Sequence, residues 1–422
     1  MTTNQKSYTL PIAMMFALFF MIAFVTGLPS PMGVIVAKQF GASNFESQLG
    51  FLGNFLAYAF MGIPAGIMLK KIGYKKTALA AIAVGFIGVS VQFLSGQVGS
   101  FTVYLTGAFI SGFSMCMLNT VVNPMLNTLG GGGNSGNRLL QFGGSINSIG
   151  ATITPMLVGW LMGAEAGRTI EKANPALLLA LGIFALAFVV LSFVKIPEPH
   201  MESAEEKKVK HAHSPLSFRH FVFGAIAIFI YVGIEIGIPS TANLFMTAST
   251  SSANVGLGID ATTAGSIVGV YWLLMLVGRL IGASIGAKVS SKTMMIAVSS
   301  LGLVLVVLAI ISPLSLAITL PYFGIQVPIS IVFLVLCGLC TSIMWGGVFN
   351  LAVEGLGKYT AAASGIFMVM VCGGGIVPLI QGYVSDHFGY INSYWVMFAC
   401  LAYMLWYALI GCRNVNKDIP VE

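Results

Sequence analysis

The sequence predicts an all-α membrane protein of twelve transmembrane helices, built as two six-helix bundles related by an axis along the membrane normal. Three observations predict it: too few charges for a water-exposed surface, twelve apolar blocks of spanning length, and a repeat that lays the first half of the chain on the second. Of 422 residues, 57% are hydrophobic and only 8% charged, against roughly 25% charged in a soluble domain. The blocks lie at about 9–37, 49–69, 77–95, 101–127, 139–163, 175–195, 219–247, 262–287, 293–312, 328–352, 360–384 and 391–411. Each is long enough as a helix to cross a hydrocarbon core of roughly 30 Å. A β-barrel would instead show short alternating segments.

Twelve spans put both termini on one side. Cytoplasmic loops hold the excess of Lys and Arg, and of the 20 basic residues only Lys38, Arg168 and Lys172 fall opposite the termini. Both termini are therefore expected in the cytoplasm, in a bacterial inner membrane. The formal net charge of +7 is spread over these orienting loops and forms no patch suited to nucleic acid. The apolar run after Lys6 is too long for a signal peptide and lacks a small-residue cleavage site, so it is read as span 1. All six cysteines lie in or at the end of apolar stretches. The CxxC spacing of Cys337 and Cys340 has no accompanying His or second pair, so neither metal nor disulfide is expected.

The longest polar interval, 196–218, holds Pro197, Pro199, an acidic run and then Lys207, Lys208 and Lys210. It reads as a cytoplasmic linker between an N-terminal bundle (1–195) and a C-terminal bundle with a short tail (219–422). The repeat supports that division. Gly27-Leu28-Pro29-Ser30 in span 1 is echoed by Gly237-Ile238-Pro239-Ser240 in span 7, and Ala65 through Thr77 can be laid on Ile281 through Thr293. Glycine and proline loosen the helical ladder, so Gly27, Pro29, Gly237 and Pro239 are expected to interrupt spans 1 and 7 at a midplane site. Matched interruptions in the two halves are the best sequence pointer to such a site.

Several segments, taken in order, resemble one family. They are Gly62-Ile63-Pro64-Ala65-Gly66 with Lys70, Lys71, Gly73 and Tyr74, then Asn123-Pro124 and Asn147-Ser148-Ile149-Gly150-Ala151 in the first half. In the second they are Tyr231-Val232-Gly233 with Glu235, Gly278-Arg279, Gly355-Leu356-Gly357-Lys358 and Gly373-Gly374-Gly375-Ile376-Val377-Pro378. Across nearly its whole length the chain resembles the fucose-galactose-glucose:proton symporters of the major facilitator superfamily. The resemblance implies the major facilitator fold and a sugar pocket. It carries over the proton mechanism of the fucose branch less well, because that branch has an aspartate in span 1 and a glutamate in span 4. Here those positions fall near Ser30 and on Asn119, and the amide looks more like the glucose/galactose branch.

The candidate site follows from which polar residues lie within the spans. A neutral sugar needs many hydrogen bonds, and amides both donate and accept. Asn54, Asn119, Asn123, Gln141, Asn147, Asn243 and Asn350 are the amide candidates, with Asn119 and Asn123 sharing a face at i, i+4. Tyr231 and Trp272 are candidate stacking surfaces. Glu235 is the one carboxylate well inside a span, where retention points to coupling by a proton or sodium ion or to sugar binding. Arg279 and Glu354, toward the cytoplasmic ends of spans 8 and 10, are read as gate residues, Glu354 beside Lys358. With no basic residue near a span midpoint, a neutral sugar is preferred over a sugar acid such as sialic acid.

The expected function is secondary active uptake of a neutral sugar by alternating access, with no cofactor beyond the coupling ion and the chain acting as a monomer. The alternatives are a facilitator, an exporter of drugs or metabolites, a sugar-acid transporter, and a non-transporting membrane sensor. No nucleophile–base pair, metal cluster or phosphate loop in the spans suggests an enzyme.

Overall fold

The computed structural model describes residues 8–130, 133–161, 169–196, 198, 213–251, 254–285, 289–322, 324–356, 359–416 and 418–420. Most of the linker, including Lys207, Lys208 and Lys210, lies outside these, as does Lys358. Ten helical stretches are long and apolar enough to cross a membrane. One of them, Leu49–Val98, is 50 residues long and holds spans 2 and 3, while Gly133–Leu161 supplies span 5. Twelve spans result. The remainder are span 1 (Thr9–Gly27 and Pro29–Phe40), span 4 (Phe101–Leu129), span 6 (Asn174–Phe193), span 7 (Arg219–Thr247), span 8 (Ala261–Ile285) and span 9 (Ser291–Ile311). Spans 10 and 11 are each interrupted (Ile329–Thr341 and Met344–Val353; Thr360–Met370 and Gly373–Phe388), and span 12 is Tyr394–Trp406 with a π-turn, Tyr407–Gly411.

Spans 2 and 3 turn about Gly73 (φ 84°, ψ 173°), a conformation that needs glycine. The site is also crowded, since a Cβ there would collide with the Glu198 carboxylate. Glu198 accepts from the backbone N–H groups of Tyr74 and Lys75 and so caps the start of span 3. Lys75 Nζ donates to the carbonyl of Ser192 (2.8 Å), tying the same turn to the end of span 6.

Close approach of helices explains the glycine run in span 11. A Cβ on Gly373 would sit 1.9 Å from the carbonyl oxygen of Phe229 in span 7, and one on Gly375 would sit 2.7 Å from Cα of Leu52 in span 2. In lipid, association rests on packing of this kind, because tails are as apolar as leucine. The run therefore carries part of the contact between the bundles.

The paired interruption expected of spans 1 and 7 is seen in span 1 only, at Leu28, where the Leu28 N–H turns back to the Val25 carbonyl (3.3 Å). Span 7 stays one helix through Pro239. Proline removes the N–H that would have bonded the carbonyl four residues back, that of Glu235. Tyr271 Oη of span 8 donates to that carbonyl instead (3.2 Å). The next turn is secured likewise, with Tyr394 Oη donating to the carbonyl of Ile238 (2.8 Å). Gly237 serves packing: a Cβ there would meet Met397 of span 12.

One element stands outside the all-helical expectation. Between spans 9 and 10, Ala317–Leu320 (β1) and Ile325–Pro328 (β2) form an antiparallel hairpin, with Leu320 opposite Ile325. It lies on the side opposite the termini and packs Ile318, Leu320 and Ile325 on an apolar cluster that includes Val34, Leu244, Phe245 and Tyr390.

Candidate functional site

A cavity of about 1470 Å³ lies between the bundles, above the roughly 300–1,000 Å³ of an ordinary ligand pocket. At one end it is lined by Ser30, Pro155, Pro239 and Ser240. At the other it reaches Ile12, Leu129, Gly130, Ser291 and Asn350, at or near the ends of spans 1, 4, 9 and 10 that share the side of the termini. Asn350 is exposed there. The cavity therefore opens on the side of the termini.

The opposite side is sealed by contacts between bundles. Gln48 Nε2 donates to Ser240 Oγ and Asn243 Nδ2 to Ser30 Oγ, both at 3.3 Å. The backbone N–H groups of Asn44 and Phe45 donate to the carboxylate of Asp386 (2.7 and 2.9 Å), and Asn44 Nδ2 to Ser385 Oγ (3.2 Å). Burial pushes the Tyr390 phenol beside them up to about 12, so it stays neutral.

The wall from the first bundle is a string of amides. Asn119 Nδ2 donates to Tyr58 Oη (2.9 Å) and to the Met115 carbonyl (3.1 Å), and Asn123 Nδ2 donates to the Asn119 carbonyl (2.7 Å). Asn147 Nδ2 is held by the Phe19 carbonyl (3.0 Å). Asn119, Asn123 and Asn147 all line the cavity. Their donors are partly committed within the protein, so the amide oxygens are the groups left for a ligand.

The wall from the second bundle carries charge and rings. Tyr231, Glu235, Pro239, Trp272, Arg279 and Trp345 line it. Trp272 packs edge-on to Tyr271 (5.3 Å, 87°), and Tyr231 leans on Trp345 (6.2 Å). Arg279 Nη2 lies 3.7 Å from Glu235 Oε1, with each side chain 16% exposed. Its Nη1 crosses to the other bundle, donating to the Gly144 carbonyl and Ser148 Oγ of span 5 (both 2.7 Å), and Nε reaches the Ser342 carbonyl (3.4 Å). Arg279 is thus part of the cavity wall and the ion partner of Glu235, which corrects the expectation that no basic group stands near the site.

Several sequence candidates fall elsewhere. Asn54 is 1% exposed and its Nδ2 reaches the Ala108 carbonyl (3.4 Å) and Ser111 Oγ (3.5 Å) of span 4, outside the cavity lining. It joins helices within the first bundle. Asn54→Ala is expected to lower stability by about 1 kcal/mol, the usual net worth of a buried hydrogen bond, while the concentration for half-maximal uptake stays within about twofold. Thermal denaturation and concentration-dependent flux would check both, and a tenfold rise in that concentration would return Asn54 to the binding site. Asn243 belongs to the seal opposite the termini. Glu354 is exposed at the end of span 10, and its carbonyl meets His220 Nε2 (2.9 Å), while its expected partner Lys358 is outside the described residues. The Gln141 side chain is also outside them. Gly27 lines the cavity; Pro29 and Gly237 do not.

The sequence reading missed Tyr58, Thr26 and Ser148. Tyr58 lies one turn beyond Asn54, on the face that meets the cavity. Thr26 lies two residues before the Leu28 break, and its buried hydroxyl has no protein partner.

The comparisons agree with this architecture. The model of the Major Facilitator Superfamily matches residues 14–377. A glucose/galactose transporter of Brucella abortus biovar 1 (strain 9-941) is 29% identical over 417 residues, covering 98% of this chain and 97% of its own length. The L-fucose-proton symporter of Escherichia coli (strain K12) is 24% identical over 414 residues, covering 92% and 90%. Among solved structures, the major facilitator transporter FucP in its outward conformation superposes with a TM-score of 0.70 at 21% identity over 97% of this chain and all of that one. The nucleoside transporter NupG gives 0.63 at 15% identity, over 96% and 98%. With twelve spans, a cavity between two bundles and a family match over most of its length, the chain belongs to the Major Facilitator Superfamily and resembles its fucose-galactose-glucose:proton symporters.

Proposed function

We propose that this protein takes up a neutral sugar by proton-coupled alternating access across a bacterial inner membrane, acting as a monomer with both termini in the cytoplasm. The observation that carries the proposal is one cavity faced by amides on one wall and by aromatic rings with a Glu–Arg pair on the other. Amide oxygens suit sugar hydroxyls, and flat rings suit the apolar face of a pyranose. Arg279 does not argue for an anionic substrate, because Glu235 already balances its charge. The names of the relatives, a glucose/galactose transporter and an L-fucose-proton symporter, favour a hexose.

Glu235 is the only carboxylate among the described residues lining the cavity, and in this reading it carries the coupling proton. Sodium fits less well. It would need a shell of oxygens around the carboxylate, whereas a proton needs only one carboxylate oxygen. The linker at 196–218 joins two bundles that rock about the site, with the segments 66–76 and 282–292 as hinges at the terminal side.

Proteoliposomes loaded with unlabelled hexose test the reading. Counterflow of radiolabelled glucose, galactose or fucose is expected, with net accumulation driven by an inward proton gradient and indifferent to sodium. Absence of counterflow with all three hexoses would remove the sugar assignment. Accumulation that follows sodium and ignores pH would remove the proton.

A further inference from the structure

The contacts that seal the side opposite the termini differ in kind. Gln48 with Ser240, and Asn243 with Ser30, are neutral pairs at 3.3 Å, which exchange for water at little net cost. Asp386 is different. Both of its carboxylate oxygens are engaged, Oδ1 by the backbone N–H of Asn44 (2.7 Å) and Oδ2 by that of Phe45 (2.9 Å). Hydrogen bonds to an ionised acceptor are roughly twice as strong as neutral ones, and these two join the end of span 11 to the turn between spans 1 and 2.

The turn is shaped to present those donors. Ser43 and Glu46 bond reciprocally, Ser43 N–H to Glu46 Oε2 (2.8 Å) and Glu46 N–H to Ser43 Oγ (3.1 Å), fixing the start of the short helix Asn44–Ser47. Span 11 comes against it with glycine. A Cβ on Gly382 would lie 2.8 Å from the Asn44 carbonyl oxygen. Asn44 Nδ2 adds a bond to Ser385 Oγ (3.2 Å), and Asn254 Nδ2 holds the Asp386 carbonyl (3.3 Å). Backbone, side chain and close packing converge on one carboxylate.

We propose that Asp386 is the latch of the gate opposite the termini: its carboxylate holds the turn between spans 1 and 2 against span 11, and the gate opens by releasing Asn44 and Phe45. Asp386 takes these bonds from backbone donors, which the neutral side-chain pairs at 3.3 Å leave untouched. The latch depends on neither the identity of the substrate nor its coupling ion, and it stands if the sugar reading fails.

Spin labels test it in the purified full-length protein. One pair, Val98→Cys with Leu314→Cys, sits at exposed positions on the gated side; a second, Ile72→Cys with Ile285→Cys, sits at exposed positions on the side of the termini. The native cysteines are buried or half-buried, so the introduced ones dominate labelling. Wild type is expected to give one short distance on the gated side. Asp386→Ala should add a longer one, raising the open-to-closed ratio on the order of tenfold, with the terminal-side pair shortening in step. Mere loosening would lengthen the first distance and leave the second. Ser385→Ala, which removes only a neutral bond, should shift the ratio less. Asp386→Asn keeps the shape of the side chain and decides the matter if the alanine variant does not fold. Unchanged gated-side distances in a folded Asp386 variant, or lengthening without the terminal-side response, would overturn the proposal.

Discussion

Glu235→Gln is expected to abolish accumulation while sparing exchange. With one proton carried per sugar, a gradient of one pH unit, about 1.4 kcal/mol, supports roughly tenfold accumulation. A glutamine keeps the size of the side chain and, like the protonated acid, offers both a donor and an acceptor, but it cannot take up and release the proton. The variant should therefore bring sugar only to equality across the membrane, with counterflow within about threefold of wild type because binding and rocking remain. Proteoliposome flux under an imposed gradient separates the two. Accumulation by the glutamine variant near the wild-type level would end the coupling role of Glu235.

Arg279→Leu is expected to cost both stability and transport. It removes the bonds to Gly144, Ser148 and Ser342 and leaves Glu235 without its counter-charge. Breaking a fully buried pair costs roughly 3–5 kcal/mol; with both side chains 16% exposed, water offsets part of this, and about 2 kcal/mol is expected. Two further variants test the cause. Arg279→Lys keeps the charge but lacks the planar fork that reaches three partners, so it should recover stability more than transport. Removing both charges, Glu235→Gln with Arg279→Leu, should be more stable than Arg279→Leu alone, by about 1 kcal/mol or more. A melting series reads this directly. If the double variant is the sum of the singles, the pair is not coupled.

Arg279 also illustrates what was legible in the sequence and what was not. Hydropathy located the twelve spans because lipid tolerates few alternatives to a continuous apolar helix. Residue type then found Asn119, Asn123, Asn147, Glu235 and Trp272, all of which line the cavity. Which of two residues one turn apart on the same side of a helix reaches the cavity was not legible, so Asn54 was chosen where Tyr58 meets the cavity. Reach was not legible either. Arg279 was assigned to the end of span 8 by the position of its Cα, but helical side chains lean toward the N-terminus of their helix, which in span 8 lies opposite the termini of the chain. Its guanidinium is carried inward from its Cα to Glu235. Pro239 misled for a third reason: the hydrogen that keeps span 7 whole comes from Tyr271, in another helix.

The hairpin between spans 9 and 10 bears on the mechanics of opening. It belongs to the second bundle by connectivity, yet the apolar cluster beneath it includes Val34 of span 1. Apolar contact has no preferred direction, so Ile318, Leu320 and Ile325 can shift on that cluster by an ångström or so, roughly the scale of shifts between packed helices, and still exclude water. A hydrogen-bonded joint at the same place would have to rupture on every cycle. The hairpin can therefore glide as a lubricated bearing beside the directional catch proposed at Asp386.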